Sequence, residues 1–148
     1  MVEAIEVPIR LLDHGLEAPA YAYPGDAGLD LRSSIDIDLE PFERALVPTG
    51  IAAAIPHGYA GFVLPRSGAA IKQGLSLVNA PGLIDSNYRG EIQAIVINLD
   101  PRKTLSIQRG DRIAQMVITK TPVISIALTD ELEDSVRGAG GFGSSGNT

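Results

Sequence analysis

The chain has 148 residues, a net charge of −6, 45% hydrophobic but only 5% aromatic residues, and no cysteine. That length suits one domain with a core built mainly from Ile, Leu, Val and Ala. The acidic balance excludes a global basic footprint for nucleic acid, and the lack of cysteine excludes disulfides and thiolate metal sites. The two histidines, His14 and His57, lack the spacing of a metal-binding pair. No apolar run approaches membrane-spanning length. The start, Met1 to Glu6, is acidic where a signal or transit peptide would be basic. These features predict a soluble, cytoplasmic protein without a nucleic-acid or membrane partner.

Ile5, Val7 and Ile9 alternate with Glu6 and Pro8 and predict a first strand, which the proline assigns to a sheet edge. Residues 13–28 are rich in Gly, Pro and Ala and predict a long loop that ends in the segment Gly25 to Leu31. Ile35, Ile37 and Leu39 alternate with Asp36 and Asp38, the pattern of a half-buried strand with one wet face. Ala45–Val47 and Ile51–Ile55 read as two strands separated by Pro48 and Gly50. A turn at Pro56–Gly58 precedes a short strand, Gly61–Leu64. Ser67 predicts the N-cap of a short helix through Lys72, and Gly74 its stop. The helix start beside Arg66 would suit a phosphate; the cap alone favours a plain connector helix.

Two apolar runs, Leu75–Val78 and Ile92–Leu99, bracket residues 79–91. Pro81 and Gly82 break the first run and Gly90 precedes the second, which predicts a β-hairpin-like excursion. Its residues include an acid (Asp85), an aromatic with a polar end (Tyr88), a base (Arg89) and two amides (Asn79, Asn87). Turns favour Asn, Asp and Gly for backbone reasons, so a polar loop is the plain alternative. Farther on, Leu105 and Ile107 alternate with Ser106 and Gln108, and Arg109–Asp111 turns the chain. Ile113–Ile118 reads as a strand carrying Gln115, and Val123–Leu128 as the last strand. Many short strands with Gly and Pro between them predict an all-β sandwich or barrel with one short helix.

From Thr129 the composition turns acidic and then Gly- and Ser-rich, which predicts a flexible arm over residues 129–148 following one domain over residues 1–128. Gly138, Gly140 and Gly143 match a dinucleotide fingerprint by spacing, but no βαβ unit surrounds them. There is no Gly-x-Ser-x-Gly elbow, and two scattered histidines make a Ser-His-Asp triad a poor reading.

Five stretches, in order, resemble the five motifs of the trimeric dUTPase family: Ala27–Leu31, Pro65–Gly68, Gly82–Glu91, Arg109–Gln115 and Arg137–Gly146. Ser145 stands where many members carry threonine, so a hydroxyl is retained. The resemblance implies a jelly-roll-like β fold and a homotrimer with three active sites shared between subunits. It implies hydrolysis of dUTP to dUMP and pyrophosphate with Mg²⁺. That reaction would limit uracil in DNA and supply dUMP for thymidylate synthesis.

The resemblance also distributes roles. Asp85 would activate water for attack on the α-phosphorus, since a carboxylate is ionised at neutral pH and can accept a proton. Asp30 would hold Mg²⁺ in its outer shell, through water. Arg66, Ser67, Gly68 and Gln115, with Arg137, Gly143, Ser144 and Ser145 from the tail, would bind the triphosphate. Arg112 has a weaker claim, with a structural ion pair as its alternative. Asn79 and the backbone of Gly82, Leu83 and Ile84 would read uracil, and Tyr88 would pack on the deoxyribose and leave no room for a 2′-hydroxyl. Phe142 would cover the base, making the Gly-rich tail a lid. Arg89 reads as readily as a structural ion-pair residue as a ligand contact. A dCTP deaminase, a bifunctional deaminase–dUTPase and a dUTP-sensing interaction module are the alternatives. Asp85, Tyr88 and the tail favour the hydrolase.

Overall fold

The structure, a computed structural model, describes residues 3–146. Its strands are β1 (Ile9–Leu11), β2 (Leu29–Arg32), β3 (Ile37–Leu39), β4 (Arg44–Ala53), β5 (Tyr59–Leu64), β6 (Leu75–Leu77), β7 (Gly82–Ile84), β8 (Glu91–Asn98), β9 (Leu105–Ile107) and β10 (Arg112–Lys120), with one helix, α1 (Ser67–Gln73). One four-stranded sheet has the order β1-β4-β8-β6, a second has the order β2-β10-β5-β7, and β3 pairs with β9. The architecture is all-β and jelly-roll-like, as the sequence predicts.

Period-two alternation builds the core. On β8, Ile92, Ala94, Val96 and Asn98 are buried, while Glu91, Gln93, Ile95 and Ile97 are only partly covered. The inner residues join Leu31, Val47, Ile113 and Met116 in one contiguous cluster. Asn98 ends this inner row without an orphaned polar atom. Its Nδ2 donates to the carbonyls of Leu39 (2.9 Å) and Lys103 (2.8 Å), and its Oδ1 accepts from the Asp100 N–H at 2.9 Å. A buried amide so satisfied fixes the turn that leads into β9.

Several elements differ from the sequence reading. The first strand begins at Ile9 rather than Ile5; Pro8 lacks an N–H, and its carbonyl accepts the Ala54 N–H at 2.9 Å where pairing starts. The strand does lie at a sheet edge. Pro48 and Gly50 do not divide two strands. They lie inside the ten-residue β4, whose register shifts between Pro48 and Ala52. Gly50 has φ 73°, and its carbonyl accepts the N–H groups of both Leu12 and Asp13. The turn residues therefore form an irregularity within a strand. Strand β2 emerges from the predicted loop, because Asp30 and Arg32 interrupt its apolar signal.

The helix is capped by Arg66, not Ser67. Arg66 has the extended backbone a cap needs (φ −92°, ψ 131°), no side chain caps the helix, and Ser67 is already helical. Gly74 is the predicted stop, with φ 67° and its N–H on the carbonyls of Ala69 and Ala70. Residues 79–91 are not a simple hairpin. β6 pairs with β8 in the first sheet, whereas β7 crosses to pair with β5 in the second. Val123–Leu128 forms no strand: Ile126 is 78% and Leu128 95% exposed. An alternating segment becomes a strand only with an edge to pair against, and this one pairs with none in its own chain. Residues 147–148 of the predicted arm, and Met1 and Val2 of the acidic start, lie outside the described residues.

Candidate active site

The crossover of β7 opens a cleft of about 310 Å³ whose lining includes Asn79, Gly82, Leu83, Ile84, Asp85 and Tyr88. Every residue that the sequence assigned to uracil, deoxyribose or water activation is there, except Phe142. Pairing of Gly82 with Val63 and of Ile84 with Gly61 draws the segment onto the second sheet and leaves Asp85 exposed where β7 ends. The Tyr88 N–H donates to the Asp85 carbonyl at 3.1 Å, and the Tyr88 hydroxyl donates to the Glu91 carbonyl at 2.9 Å. The ring thus reaches forward over Gly90. A Cβ at Gly90 would stand 2.6 Å from Tyr88 Cζ, so glycine is what admits the ring. Arg89 Nη1 donates to the carbonyls of Ser86 (2.7 Å) and Tyr88 (2.9 Å). It holds the turn through backbone carbonyls and forms no ion pair among the described residues, unlike the structural role the sequence suggested.

A second cleft, of about 470 Å³, collects Asp30, Arg66, Ser67, Gly68 and Gln115. Strand register explains the gathering. Gln115 lies opposite Asp30 on β2 and Leu64 at the end of β5, immediately before Pro65 and Arg66. Gln115 Nε2 donates to the Pro65 carbonyl at 2.9 Å. A Cβ at Gly28 would stand 2.6 Å from Gln115 Oε1, which gives that glycine a packing reason. The Asp30 carboxylate is shared: Oδ1 forms an ion pair with Arg66 Nε at 2.9 Å, and Oδ2 accepts from Arg112 Nη1 at 3.1 Å. Arg112 is therefore in an ion pair, as its structural reading had it.

Arg109, three residues earlier, goes elsewhere. Its Nε and Nη2 donate to the two oxygens of Asp13 at 3.0 and 2.7 Å, and the Gly15 N–H adds a third bond at 2.9 Å. The Arg109 guanidinium, and after it the Gly15 N–H, holds the Asp13 carboxyl below its usual range. The same contact raises the pKa of Arg109.

Among the described residues no group of three or more His, Asp or Glu is arranged to hold a metal. Each oxygen of Asp30 faces one guanidinium, and each keeps lone-pair capacity beyond it. That donor set fits contact with metal-bound water, the mode of a hard ion that retains its hydration.

In one chain the two clefts remain separate, and the tail closes over neither. Every described hydrogen bond of residues 135–146 stays within that stretch, including Arg137 Nε to the Gly140 carbonyl at 2.7 Å. Phe142, Gly143, Ser144 and Ser145 are exposed. Three polar lining residues lie outside the five stretches and were not among the candidates. Gln93 joins the first cleft, and its place on the outer face of β8 beside Glu91 and Ile95 was available from alternation. Tyr23 and Asp26 join the second, from a loop without periodicity.

The sequence model of the dUTPase family matches residues 15–146. The chain is 53% identical over 142 residues to the deoxyuridine 5′-triphosphate nucleotidohydrolase of Streptomyces coelicolor, covering 96% of this chain and 78% of that protein. It is 50% identical to the protein of the same description from Corynebacterium glutamicum, over 100% of this chain and 99% of that one. Its fold is similar to that of the Staphylococcus bacteriophage 80alpha dUTPase with dUPNHPP, with a TM-score of 0.88, 30% identity, and coverage of 97% and 99%. A dUTPase variant from phage phi11 of S. aureus, described for its coordination of a structural Mg(II) ion, matches with a TM-score of 0.80 and 28% identity, covering 88% of this chain and 100% of that one.

Proposed function

This chain belongs to the dUTPase family, and from that premise we propose how its two clefts divide the work of a dUTP nucleotidohydrolase. The protein hydrolyses dUTP to dUMP and pyrophosphate, which removes a source of uracil in DNA and supplies dUMP for thymidylate synthesis. The first cleft reads the nucleoside and carries the base; the second receives phosphate. What supports this division is the grouping itself. The nucleoside candidates and Asp85 line one cavity, and the phosphate candidates of the body line another.

Asp85 orients the attacking water and takes its proton, a role that contributes about 10²–10⁴-fold in rate. Attack at the α-phosphorus moves negative charge onto the departing pyrophosphate. Arg66, Ser67, Gly68 and Gln115 are donors for that charge in the body of the chain, and Arg137, Gly143, Ser144 and Ser145 add donors when the tail folds over the site. Asn79 and the backbone of β7 present hydrogen bonds to uracil. Mismatched buried hydrogen bonds reject cytosine far better than an apolar wall rejects one methyl group. Tyr88 packs on the deoxyribose, and Phe142 covers the base when the arm, residues 129–148, folds over the site. Mg²⁺ would be held by the substrate phosphates and, through water, by Asp30; when bound it neutralises triphosphate charge.

The active site is shared between copies in a homotrimer. Two observations support this: the separation of the two clefts in one chain, and the apolar surface left open. Leu46 is 58% and Val78 50% exposed around the outer face of the first sheet, and the run Val123–Leu128 stands free. No described helix is long and apolar enough to cross a membrane. A cysteine-free chain suits the cytoplasm.

Pyrophosphate release from dUTP, compared with dTTP, dCTP and UTP, tests the reading in wild type and Asp85→Asn. We expect release from dUTP alone, and a loss of about 10²-fold or more in the variant. Equal rates across the nucleotides would sink the specificity argument, and full activity in Asp85→Asn would remove Asp85 as the base.

A further inference from the structure

We propose that Arg112 is a positioning residue for dUTP hydrolysis, acting through Asp30 on Arg66. The inference rests on the phosphate-binding role of Arg66 proposed above.

The chain is built to bring Arg112 to this place. In an antiparallel ladder, residues directly opposite each other point to the same face. Gln115 is opposite Asp30, so both face one way, and Arg32, two residues along β2, faces with them. Unbroken pairing would set Ile113 opposite Arg32 and turn Arg112 to the other face. The register instead shifts between Arg112 and Ala114, and Arg112 pairs with Arg32. Ile113 and Ala114 both become buried, and Arg112 moves onto the face of Asp30 and Gln115. A bulge re-aims a side chain at the cost of a ladder bond. Here the side chain it re-aims is the one that grips Asp30.

The geometry of the trio shows what the grip does. Asp30 is the least exposed member, with its side chain 17% accessible against 27% for Arg66 and 43% for Arg112. Its ion pair with Arg66 runs through Nε. The two terminal nitrogens of Arg66 make no hydrogen bond among the described residues, so the end of the guanidinium fork is left for a ligand. That end is the edge with which arginine takes two phosphate oxygens at once. Arg112 occupies the other oxygen of Asp30 and limits how the carboxylate, and with it Arg66, can turn. It also settles the charge. Arg66 and Asp30 alone sum to zero, whereas the trio carries one net positive charge towards the triphosphate. Arg32 does not compete, because its guanidinium is engaged by the Gly110 carbonyl at 2.8 Å and Glu17 at 3.2 Å.

The test is a double-mutant cycle on Arg66 and Arg112, read by binding of the non-hydrolysable α,β-imido analogue of dUTP and by the split between KM and kcat. Arg112→Gln should weaken analogue binding on the order of 10-fold, the size of a lost charge-assisted hydrogen bond. Competition by deoxyuridine, which has no phosphate, should be unchanged. Arg112→Lys should recover part of the loss by restoring the charge. In an Arg66→Ala background, Arg112→Gln should cost less than about 2-fold more, because residues acting in one network are not additive. Multiplicative losses, or wild-type analogue binding in Arg112→Gln, would overturn the inference. Wild-type analogue binding in Arg66→Ala would instead overturn the phosphate role of Arg66. If Arg112→Gln does not fold, the same cycle with Arg112→Met, which also removes the charge, decides the question by the same criterion.

Discussion

Tyr88 and Gly90 act as one unit. The phenol is anchored to the Glu91 carbonyl at 2.9 Å, and the ring occupies the space that a side chain at position 90 would need. The ring position, rather than the hydroxyl, is what can bar a ribose. Gly90→Ala should therefore push the ring off its place and raise the rate with UTP relative to dUTP, at a stability cost of about 1–3 kcal/mol for the overpacking. Tyr88→Phe should keep the discrimination. Measuring kcat/KM for the two nucleotides in both variants checks this, and unchanged selectivity in Gly90→Ala would show that the ring is not the barrier. Asp30 makes a similar point about single residues. Its neighbours are a ligand-binding candidate on one oxygen and a strand-borne anchor on the other, so its substitution disturbs both.

Among elements, the clasp between Asp13 and Arg109 ties the loop after β1 to the turn before β10. The folded protein holds Asp13 below its usual value of 3.8. Its contribution to stability is therefore present above that value and lost as pH falls through the lower folded value. The difference in unfolding midpoint between wild type and Asp13→Asn should be largest near neutral pH and shrink below about pH 4. An equal difference at all pH values would show that the clasp acts by packing and not by charge.

The elements also show what a sequence makes legible. Alternation marks β3 and β9, because one face of each is wet, an apolar run marks β8, and Gly74 marks the helix stop because its left-handed backbone suits glycine. Pro48 and Gly50 mislead, since a strand irregularity and a turn use the same residue types. The crossing of β7 to the other sheet is a matter of long-range pairing that no local pattern carries. Asp30, Arg66, Gln115, Asp85 and Tyr88 were legible through the five stretches, whereas Gln93 lies just beyond one of them. The bulge that turns Arg112 inward was not, because a register shift depends on both strands. Tyr23 was not, because its loop has no period to read.

At the scale of the molecule, the proposed function makes one chain an incomplete enzyme: its nucleoside and phosphate candidates line two different clefts, and the tail makes hydrogen bonds only within itself. Deleting residues 137–148 should leave a folded, assembled protein with little hydrolysis, since stacking by Phe142 is worth about 1–3 kcal/mol and Arg137 adds charge. Normal hydrolysis by the truncated protein would refute the lid. The apolar run Val123–Leu128 should lose its exposure on assembly.

The central claim is that Asp85 of one copy works with Arg66 of another. Asp85→Asn and Arg66→Ala, each nearly inactive alone, can be refolded together so that mixed assemblies form. Where the intact first cleft of one copy meets the intact second cleft of another, a complete site results. We predict dUTP hydrolysis in the mixture well above that of either variant refolded alone. Activity no greater than the sum of the two parents, in assemblies shown to be mixed, would contradict the account and return both clefts to a site within one chain.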